Sequence, residues 1–353
     1  MTAQSISVFP ATRRQMIRRS LSFSVLTLLL ACAGCQPQGQ DSWQHYVGGG
    51  HYPARTPAMS PDGRVIVFSS PRTGNGDICQ INADGSAPIR LTNVPAFETD
   101  PIFSPDGSSI AYAREAGGAR HIWLMDRDGT NQRQLTSGRV LDDVWSFSPD
   151  GTELQILRSP FSTGLGRAGG FATVNLRTKD VRKLDAMLEY SSDGKRVAWY
   201  AINEGMKRNE VWIMNADGSE RHFLAVGLSP RFSADAQTVL YSGESSVADP
   251  GSDWNTISVD GTNGRKLGRM LDPVFASDGK HIVYQTPGFK RELWKMDIDG
   301  TNRVRLPAPA GYIDFLRPCR AGFILKHVAS DRVGDIYVLD TAAWTVKQVT
   351  SMQ

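Results

Sequence analysis

Short apolar runs with period-two character recur along the chain, and runs of this kind predict half-buried β-strands. Val65–Phe68 and Ile110–Tyr112 are two of them, and each follows a Ser-Pro-Asp-Gly segment. A second run follows, as at Ile122–Met125, and ends at an Asp-Gly pair. Glycine takes positive φ without a Cβ clash and aspartate tolerates that region, so Asp-Gly predicts a tight hairpin turn.

The Ser-Pro-Asp-Gly segment recurs about every 42–44 residues, which is the spacing of a repeat protein. The copies become looser along the chain: Ser60-Pro61-Asp62-Gly63, Ser104-Pro105-Asp106-Gly107, Ser148-Pro149-Asp150-Gly151, Ser191-Ser192-Asp193-Gly194, Ser233-Ala234-Asp235-Ala236 and Ala276-Ser277-Asp278-Gly279. One more short strand precedes each copy and another closes each period, as at Arg133–Thr136. Four strands per period are typical of a propeller blade.

The blade count follows from where the first strand of each period begins. First strands near residues 57, 101, 144, 187, 230, 273 and 313 predict an all-β, seven-bladed β-propeller. Arg317–Arg320 would be an eroded seventh copy of the repeated segment. Six blades with a degenerate C-terminal unit is the alternative.

The amino-terminal segment predicts export from the cytoplasm. Basic residues precede the apolar stretch Leu21–Ala31, which is too short to span a membrane and has the length of a signal-peptide core. Ala33-Gly34 before Cys35 resembles the lipobox of bacterial lipoproteins, in which the cysteine carries lipid. Cys32 is the alternative lipidation site, and an ordinary secretory signal is the other interpretation.

These features predict three segments: a lipoprotein signal peptide at 1–34, a flexible tether at 35–55 and the propeller at 56–353. The expected location is the bacterial cell envelope, lipid-anchored and facing the periplasm. Gln36 after the cysteine would send the protein to the outer membrane of a host with two membranes. Arg13-Arg14 resembles part of a twin-arginine signal, so both general secretion and twin-arginine export stay open. A disulfide between Cys79 and Cys319 also stays open.

Net charge argues against a nucleic-acid partner. The chain of 353 residues has a formal charge of +3, from 39 Lys and Arg against 36 Asp and Glu. Four arginines are the only charged residues before residue 41, so the remainder carries −1. Nucleic-acid binding needs a dense basic face, which this balance does not suggest. A monomer is expected.

The best-preserved period, Phe103–Thr136, resembles a known repeat. Its Phe-Ser-Pro-Asp-Gly, Ile-Ala-Tyr, Ile-Trp-Leu-Met-Asp-x-Asp-Gly-Thr-Asn and Arg-Gln-Leu-Thr segments are similar to the propeller repeat of TolB. The same repeat occurs in the non-catalytic propellers of prolyl-oligopeptidase-type peptidases. The resemblance covers nearly all of residues 56–350 and implies a TolB-like propeller. The amino-terminal α/β domain of TolB is expected to be missing, because residues 36–55 leave no room for it.

Motifs of catalysis are missing from the sequence after the leader. No Gly-x-Ser-x-Gly nucleophile elbow occurs there, and the six histidines do not share a position in the repeat. Asp126–Asn131 begins like a calcium-binding EF-hand loop but lacks the distal glutamate, so it is predicted to be a hairpin turn. The sequence therefore predicts no catalytic residue, no metal ligand and no resident cofactor.

Acidic residues precede or begin several innermost strands, where they would line one mouth of the central channel. They are Glu98, Asp100, Asp142, Asp143, Asp185, Asp272 and Asp314. Grouped carboxylates would favour a cation, such as calcium, or a basic partner segment. In TolB the corresponding mouth engages partner proteins. The alternative is that each aspartate caps backbone N–H groups of its own loop.

Two functions follow from these patterns. The first is a non-enzymatic envelope scaffold whose propeller binds a protein partner or an envelope polymer through the acidic mouth. The second is a propeller-type polysaccharide lyase or hydrolase that holds a metal in its channel.

Overall fold

Antiparallel pairing of each strand with its neighbour in sequence is the repeating element of the structure. The computed structural model describes residues 57–70, 76–160, 169–243, 251–288, 291–308, 312–319, 322–328 and 334–350. Within these residues the chain forms strands and no helix. Each sequence period supplies four strands, and we call these periods repeats 1 to 7.

The strands of repeats 1 to 3 are β1 (Ala58–Met59), β2 (Val65–Ser70), β3 (Asp77–Asn82), β4 (Ile89–Arg90), β5 (Phe97–Phe103), β6 (Ser109–Ala116), β7 (Ala119–Asp126), β8 (Arg133–Gln134), β9 (Val140–Phe147), β10 (Glu153–Pro160), β11 (Gly170–Asn175) and β12 (Val181–Leu184). In each of these repeats the strands pair in chain order. Repeats 2 and 3 also share one sheet, because β7 pairs with β9 in parallel at Arg120 and Leu141.

The strands of repeats 4 to 7 are β13 (Glu189–Tyr190), β14 (Arg196–Asn203), β15 (Arg208–Asn215), β16 (His222–Val226), β17 (Leu228–Phe232), β18 (Thr238–Ser242), β19 (Ser252–Ser258), β20 (Arg265–Phe275), β21 (His281–Gln285), β22 (Leu293–Asp297), β23 (Val304–Arg305), β24 (Tyr312–Cys319), β25 (Gly322–Val328), β26 (Gly334–Asp340) and β27 (Thr345–Gln348). Strand β20 is both the last strand of repeat 5 and the first strand of repeat 6, so these two repeats are joined without a loop.

The repeated Ser-x-Asp-Gly segment closes the turn between the first and second strands by its own side chains. Ser60 Oγ donates to Asp62 Oδ1 at 2.5 Å, and the Arg64 N–H donates to the same oxygen at 3.0 Å. Gly63 takes a left-handed φ of 76°. The hydrogen bond from Ser60 is the main cause that lowers the pKa of Asp62 to about 2. The aspartate is therefore an ionised cap of its own turn.

A threonine at the end of the fourth strand ties the outer edge of three repeats to the third strand. Thr92, Thr136 and Thr350 accept hydrogen bonds at 2.9 Å from the N–H groups of Ile78, Ile122 and Ile336. Each of these threonines is buried. A buried N–H group that lost this acceptor would have no water to replace it.

Hydrophobic side chains on both faces of the sheets pack against the adjoining repeats. One cluster joins repeats 1, 2 and 3, and others join repeats 4 and 5, repeats 5 and 6, and repeats 6 and 7. A further cluster brings Ile66 and Cys79 of repeat 1 together with Ile324 and Ile336 of repeat 7. The first and last repeats of the chain are thus packed on each other.

The all-β, propeller-type prediction is confirmed by this architecture. None of the described residues forms a helix that could cross a membrane. The predicted signal peptide, both candidate lipidation cysteines and the predicted tether lie outside the described residues. Cys79 is buried, while the side chain of Cys319 is also outside the described set.

The threonine contact makes a prediction about stability. Thr136→Val keeps the size of the side chain but leaves the buried Ile122 N–H without its acceptor, so the free energy of unfolding should fall by about 1–3 kcal/mol. Chemical denaturation would measure the change. Thr345→Val, at an exposed position of β27, is the matched control and should change stability by less than about 0.5 kcal/mol. Equal effects of the two variants would contradict the prediction.

Candidate binding mouth

The antiparallel register places the start of each first strand beside the end of the second. In repeat 2, Phe97 pairs with Glu115 at one end of the sheet, and Phe103 pairs with Ile110 at the other. We call the first end the mouth face and the end that carries the Ser-x-Asp-Gly turns the turn face. The predicted acidic residues belong to the mouth face because they precede or begin first strands.

Glu98 is buried at the mouth face between repeats 1 and 2. Its Oε1 accepts a hydrogen bond from Arg114 Nε at 2.7 Å, and its other oxygen accepts one from Thr92 of repeat 1. Burial raises the pKa of Glu98, while the bonds from Thr92 and Arg114 act in the opposite direction and the nearby Asp77 carboxylate adds to the rise. Glu98 is therefore a link between two repeats.

Asp77 adds a second buried carboxylate to the same junction. Arg90 Nη2 lies 2.8 Å from Asp77 Oδ2, but the approach is not that of a hydrogen bond, and both carboxylate oxygens are without one. The contact is an ion pair held by charge alone. Two carboxylates and two guanidinium groups thus balance each other at this junction.

Asp142 occupies the position in repeat 3 that Glu98 occupies in repeat 2. Its two carboxylate oxygens each accept a hydrogen bond at 2.8 Å, from Nε and Nη2 of Arg158. Asp142 is fully buried, and the bond that it accepts raises the pKa of the Arg158 guanidinium. This bidentate geometry is the one in which arginine–carboxylate hydrogen bonds are strongest.

Asp143 lies at the mouth face with a partly exposed side chain. Its carboxylate accepts a hydrogen bond from Arg120 of repeat 2, and Arg120 also contacts Glu115 at 3.1 Å. The side chains of Asp143 and Glu115 are 35% and 37% exposed. A ligand could therefore reach two carboxylates that share one arginine.

Asp100 and Asp272 occupy one structural position in different repeats. Their φ angles are 54° and 44°, each precedes a proline, and each lies where the register of the first two strands shifts. Ser229, with φ 52° before Pro230, takes the same position in repeat 5. Aspartate tolerates this left-handed conformation better than most residues, so the backbone conformation explains why aspartate occurs at this position. Asp100 is buried, whereas Asp272 is exposed.

Two further predicted acids complete the set. Asp185 is exposed after β12. Asp314 lies at the register shift between Ile313 and Phe315 of repeat 7, and its side chain is outside the described residues. The structure thus places the predicted acids at the same ends of their sheets. Three of them, Glu98, Asp142 and Asp143, are held by arginines.

The arginines of this face were not predicted from the sequence. Glu98 and Arg114 are 16 residues apart, and so are Asp142 and Arg158. An acid at the start of a first strand and an arginine at the end of the next apolar run therefore come together through hairpin register. That equal spacing in two successive repeats is the signal that could have revealed the pairs.

The turn face has shallow hollows between neighbouring repeats. One of about 380 Å³ lies between repeats 2 and 3 and is lined by turn residues that include Ser104, Asp106, Pro149 and Asp150. The carboxylates that line it already accept hydrogen bonds within their own turns: Asp106 accepts one from Ser104 and Asp150 accepts one from Ser148. Among the described residues no three His, Cys, Asp or Glu side chains are grouped to hold a metal ion.

The buried pair Asp142–Arg158 makes a second prediction. Arg158→Gln leaves a buried carboxylate without its cation, so the free energy of unfolding should fall by about 3 kcal/mol. Arg182→Gln is the control, because Arg182 lies 3.5 Å from Glu153 with 66% of its side chain exposed and should cost less than about 0.5 kcal/mol. Urea titration of both variants would measure the difference. Similar losses of unfolding free energy in the two variants would contradict a stabilising role of the buried pair.

Comparisons with known proteins agree with the repeat pattern. Residues 42–185 match the family model of the TolB beta propeller domain, PD40. Comparison with curated proteins finds no match.

Among solved structures, TolB from Acinetobacter baumannii is 19% identical, with a TM-score of 0.49 over 71% of this chain and 65% of that one. A puromycin-hydrolyzing peptidase from Mycobacterium tuberculosis is 15% identical, with a TM-score of 0.62 over 84% of this chain and 52% of that one. An oligogalacturonate lyase in complex with manganese is 16% identical, with a TM-score of 0.53 over 80% and 83%.

The likeness to the peptidase and to the lyase shows a shared fold, and at identities this low it carries no activity from one protein to another. The chain spans less than two thirds of the TolB structure and about half of the peptidase. The family match rests instead on the repeat sequence itself. The resemblance seen in Phe103–Thr136 is confirmed, since residues 42–185 match the model of the TolB beta propeller domain.

Proposed function

We propose that the protein is a non-enzymatic scaffold that binds a protein partner, or a polymer of the cell envelope, through the mouth face of its propeller. The observation that carries the proposal is the group of Asp143, Arg120 and Glu115 at the mouth face, in which ion pairs hold two partly exposed acidic side chains in place. Side chains already ordered before binding lose little conformational entropy when a partner docks. The TolB-type repeat supports a binding role for the fold.

The charge pattern favours a particular partner surface. Arg120 is shared by Asp143 and Glu115, so these three groups together carry a charge of −1, and both acidic side chains are partly exposed. Asp272 adds an exposed carboxylate in repeat 6. A protein segment with basic residues and hydrogen-bond donors would complement this surface. A cation such as calcium at the channel mouth remains a prediction.

We also propose that the seven repeats form one closed, seven-bladed ring. The packing of repeat 7 on repeat 1, through Ile324 and Ile336 against Ile66, supports closure. Lys347 Nζ also lies 3.4 Å from the Asp84 carbonyl oxygen across that junction. Closure of this kind removes the uncovered faces that an open row of repeats would have at its two ends.

Partner binding can be tested by charge removal that leaves the backbone unstrained. Asp143→Asn combined with Asp272→Asn keeps the shape of both side chains, and asparagine tolerates left-handed φ. Cross-linking in the native envelope, followed by identification of the products, should recover the partner about tenfold less efficiently than with the wild type.

The matched control for this experiment is Asp128→Asn with Asp260→Asn. Both residues are exposed caps of Asp-Gly hairpin turns on the turn face. This control should recover the partner like the wild type. If both double variants lost the partner equally, or neither did, binding through the mouth face would be refuted.

The envelope location is proposed from the leader and from Cys35. Export and lipidation would place the propeller at a membrane surface, where several acyl chains on one cysteine give firm anchoring. Cys35→Ser should move the protein from the membrane fraction to the soluble periplasmic fraction and abolish incorporation of labelled fatty acid. Cys32→Ser should leave the membrane location and the fatty-acid incorporation unchanged. The reverse result would show that Cys32 carries the lipid.

A metal-dependent polysaccharide lyase or hydrolase is the second candidate function. The manganese-bound oligogalacturonate lyase has a similar fold, and this is the observation in its favour. The described residues offer no group of three ligands for such a metal. Metal analysis of the purified protein separates the two functions, since a stoichiometric transition metal would favour the enzyme.

A further inference from the structure

Repeat 4 carries most of the exposed large apolar side chains in the part of the chain that the structure describes. Seven such side chains are exposed there, and four of them belong to this repeat: Ile202, Met206, Phe223 and Val226, with exposed fractions of 64, 62, 42 and 37%. Single exposed apolar residues are ordinary on protein surfaces, whereas a concentration of them marks an interaction site. The two most exposed, Ile202 and Met206, lie on one hairpin.

This hairpin, between β14 and β15, lies on the mouth face. Ile202 is the last residue but one of β14, and Met206 lies in the turn 204–207. Val226 ends β16 and pairs with Glu210 of β15, so it lies at the same end of the sheet. We call Ile202, Met206 and Val226 the apolar tip.

The same hairpin of repeat 2 has no apolar tip. There Ala116 pairs with Ala119 across Gly117-Gly118, so the turn carries no side chain larger than a methyl group. A hairpin of the mouth face can therefore form without large apolar residues. Those of repeat 4 are not explained by the needs of the fold.

Polar side chains beneath the turn fix the shape of the hairpin of repeat 4. The Asn203 side chain accepts a hydrogen bond from the Met206 N–H at 3.1 Å and donates one to Glu210 Oε1 at 2.9 Å. Arg208 Nε donates to the same oxygen at 3.1 Å, and Glu210 is buried. Because these groups are bonded within the hairpin, moving it out of water leaves them satisfied. The apolar tip is thus an ordered projection.

The charges beside the apolar tip balance each other. Glu204 and Lys207 are both exposed in the turn, and Arg208 pairs with Glu210 at 3.0 Å. The tip therefore has no net charge with which to attract a charged polymer. Burial of apolar surface is the interaction that it offers.

A bilayer is the apolar phase that this chain would keep within reach. A lipid on Cys35 would be joined to Pro57, the first residue that the structure describes, by residues 36–56. A segment of that length spans about 25 Å as a flexible coil and at most about 70 Å when extended. Tethering makes contact with the bilayer intramolecular, so a few apolar side chains can orient a protein that they could not recruit from solution.

We infer that the apolar tip docks on the membrane to which the lipid anchors the protein, with its three side chains at the boundary between headgroups and acyl chains. A contact through repeat 4 alone does not use Asp143 or Glu115, which belong to repeats 3 and 2. The inference rests on the proposed lipid anchor at Cys35, and it is independent of what the acids of the mouth face bind.

Photolabelling from within the bilayer tests the inference. The lipidated protein is reconstituted in vesicles of phosphatidylethanolamine and phosphatidylglycerol that contain a phospholipid with a diazirine in its acyl chain, and labelled peptides are identified by mass spectrometry. Peptides of the apolar tip should carry at least about fivefold more label than those of Ile89 and Val304. These two residues are internal controls, because they are 50% and 48% exposed but lie on fourth strands and not at a hairpin of the mouth face.

Substitution of the tip should remove the label. Ile202→Ser combined with Met206→Ser should lower labelling of the tip peptides about fivefold, while the protein stays on the vesicles through its lipid. Ile89→Ser with Val304→Ser is the matched control and should leave the tip labelled like the wild type. Equal labelling of the tip and control peptides of the wild type, or no label at either, would refute the membrane contact.

Two further outcomes separate the inference from the proposals beside it. Absence of the wild-type protein from the vesicle fraction would refute the lipid anchor, and with it the choice of the bilayer as the occupant. If hydrogen peroxide oxidised Met206 slowly in the native envelope but rapidly in the vesicles, an envelope protein would cover the tip, which would overturn the inference. Asp143→Asn with Asp272→Asn should leave the label unchanged, so a failure of partner binding does not affect this test.

Discussion

A four-stranded meander has two apolar faces and can cover neither of them by itself, and the rest of this structure follows from that constraint. Each repeat buries side chains from both faces of its sheet, so Ile66 packs toward repeat 7 while Val67 packs toward repeat 2. The alternation that predicts strands in the sequence is therefore also what connects the repeats. Cohesion depends on every junction having apolar residues on both sides.

Local turn chemistry supplies the second part of the architecture. The Ser-x-Asp-Gly segment satisfies its own hydrogen bonds within a few residues, as Ser60, Asp62 and Arg64 show. Such turns need no help from distant parts of the chain, which explains why later copies can lose the proline and keep the turn. Ser233-Ala234-Asp235-Ala236 has lost its proline and glycine, yet Ser233 still donates to Asp235.

The sequence predicts the strands and the ends of the sheets where acids gather, because both depend on local patterns and on alternation. It does not predict which side chains pair, since that depends on register between strands. Glu98 and Asp142 were expected as members of an open acidic mouth, whereas register brings Arg114 and Arg158 to their carboxylates. The sequence also does not predict the unbroken strand β20, because Gly264 just before it and Gly268 within it suggest a turn there. The backbone role of Asp100 and Asp272 needs the left-handed φ angles to be seen.

Packing between the first and last repeats has a consequence for how the protein is made. Lys347 and Asp84, which approach each other across that junction, are 263 residues apart in the chain. Contacts of such long range form late, since the loop that they close must first lose its freedom. A chain that emerges from the ribosome or from an export channel therefore presents one apolar face of repeat 1 to its surroundings until repeat 7 has followed. During that interval this face is the surface on which aggregation, or a chaperone, would act.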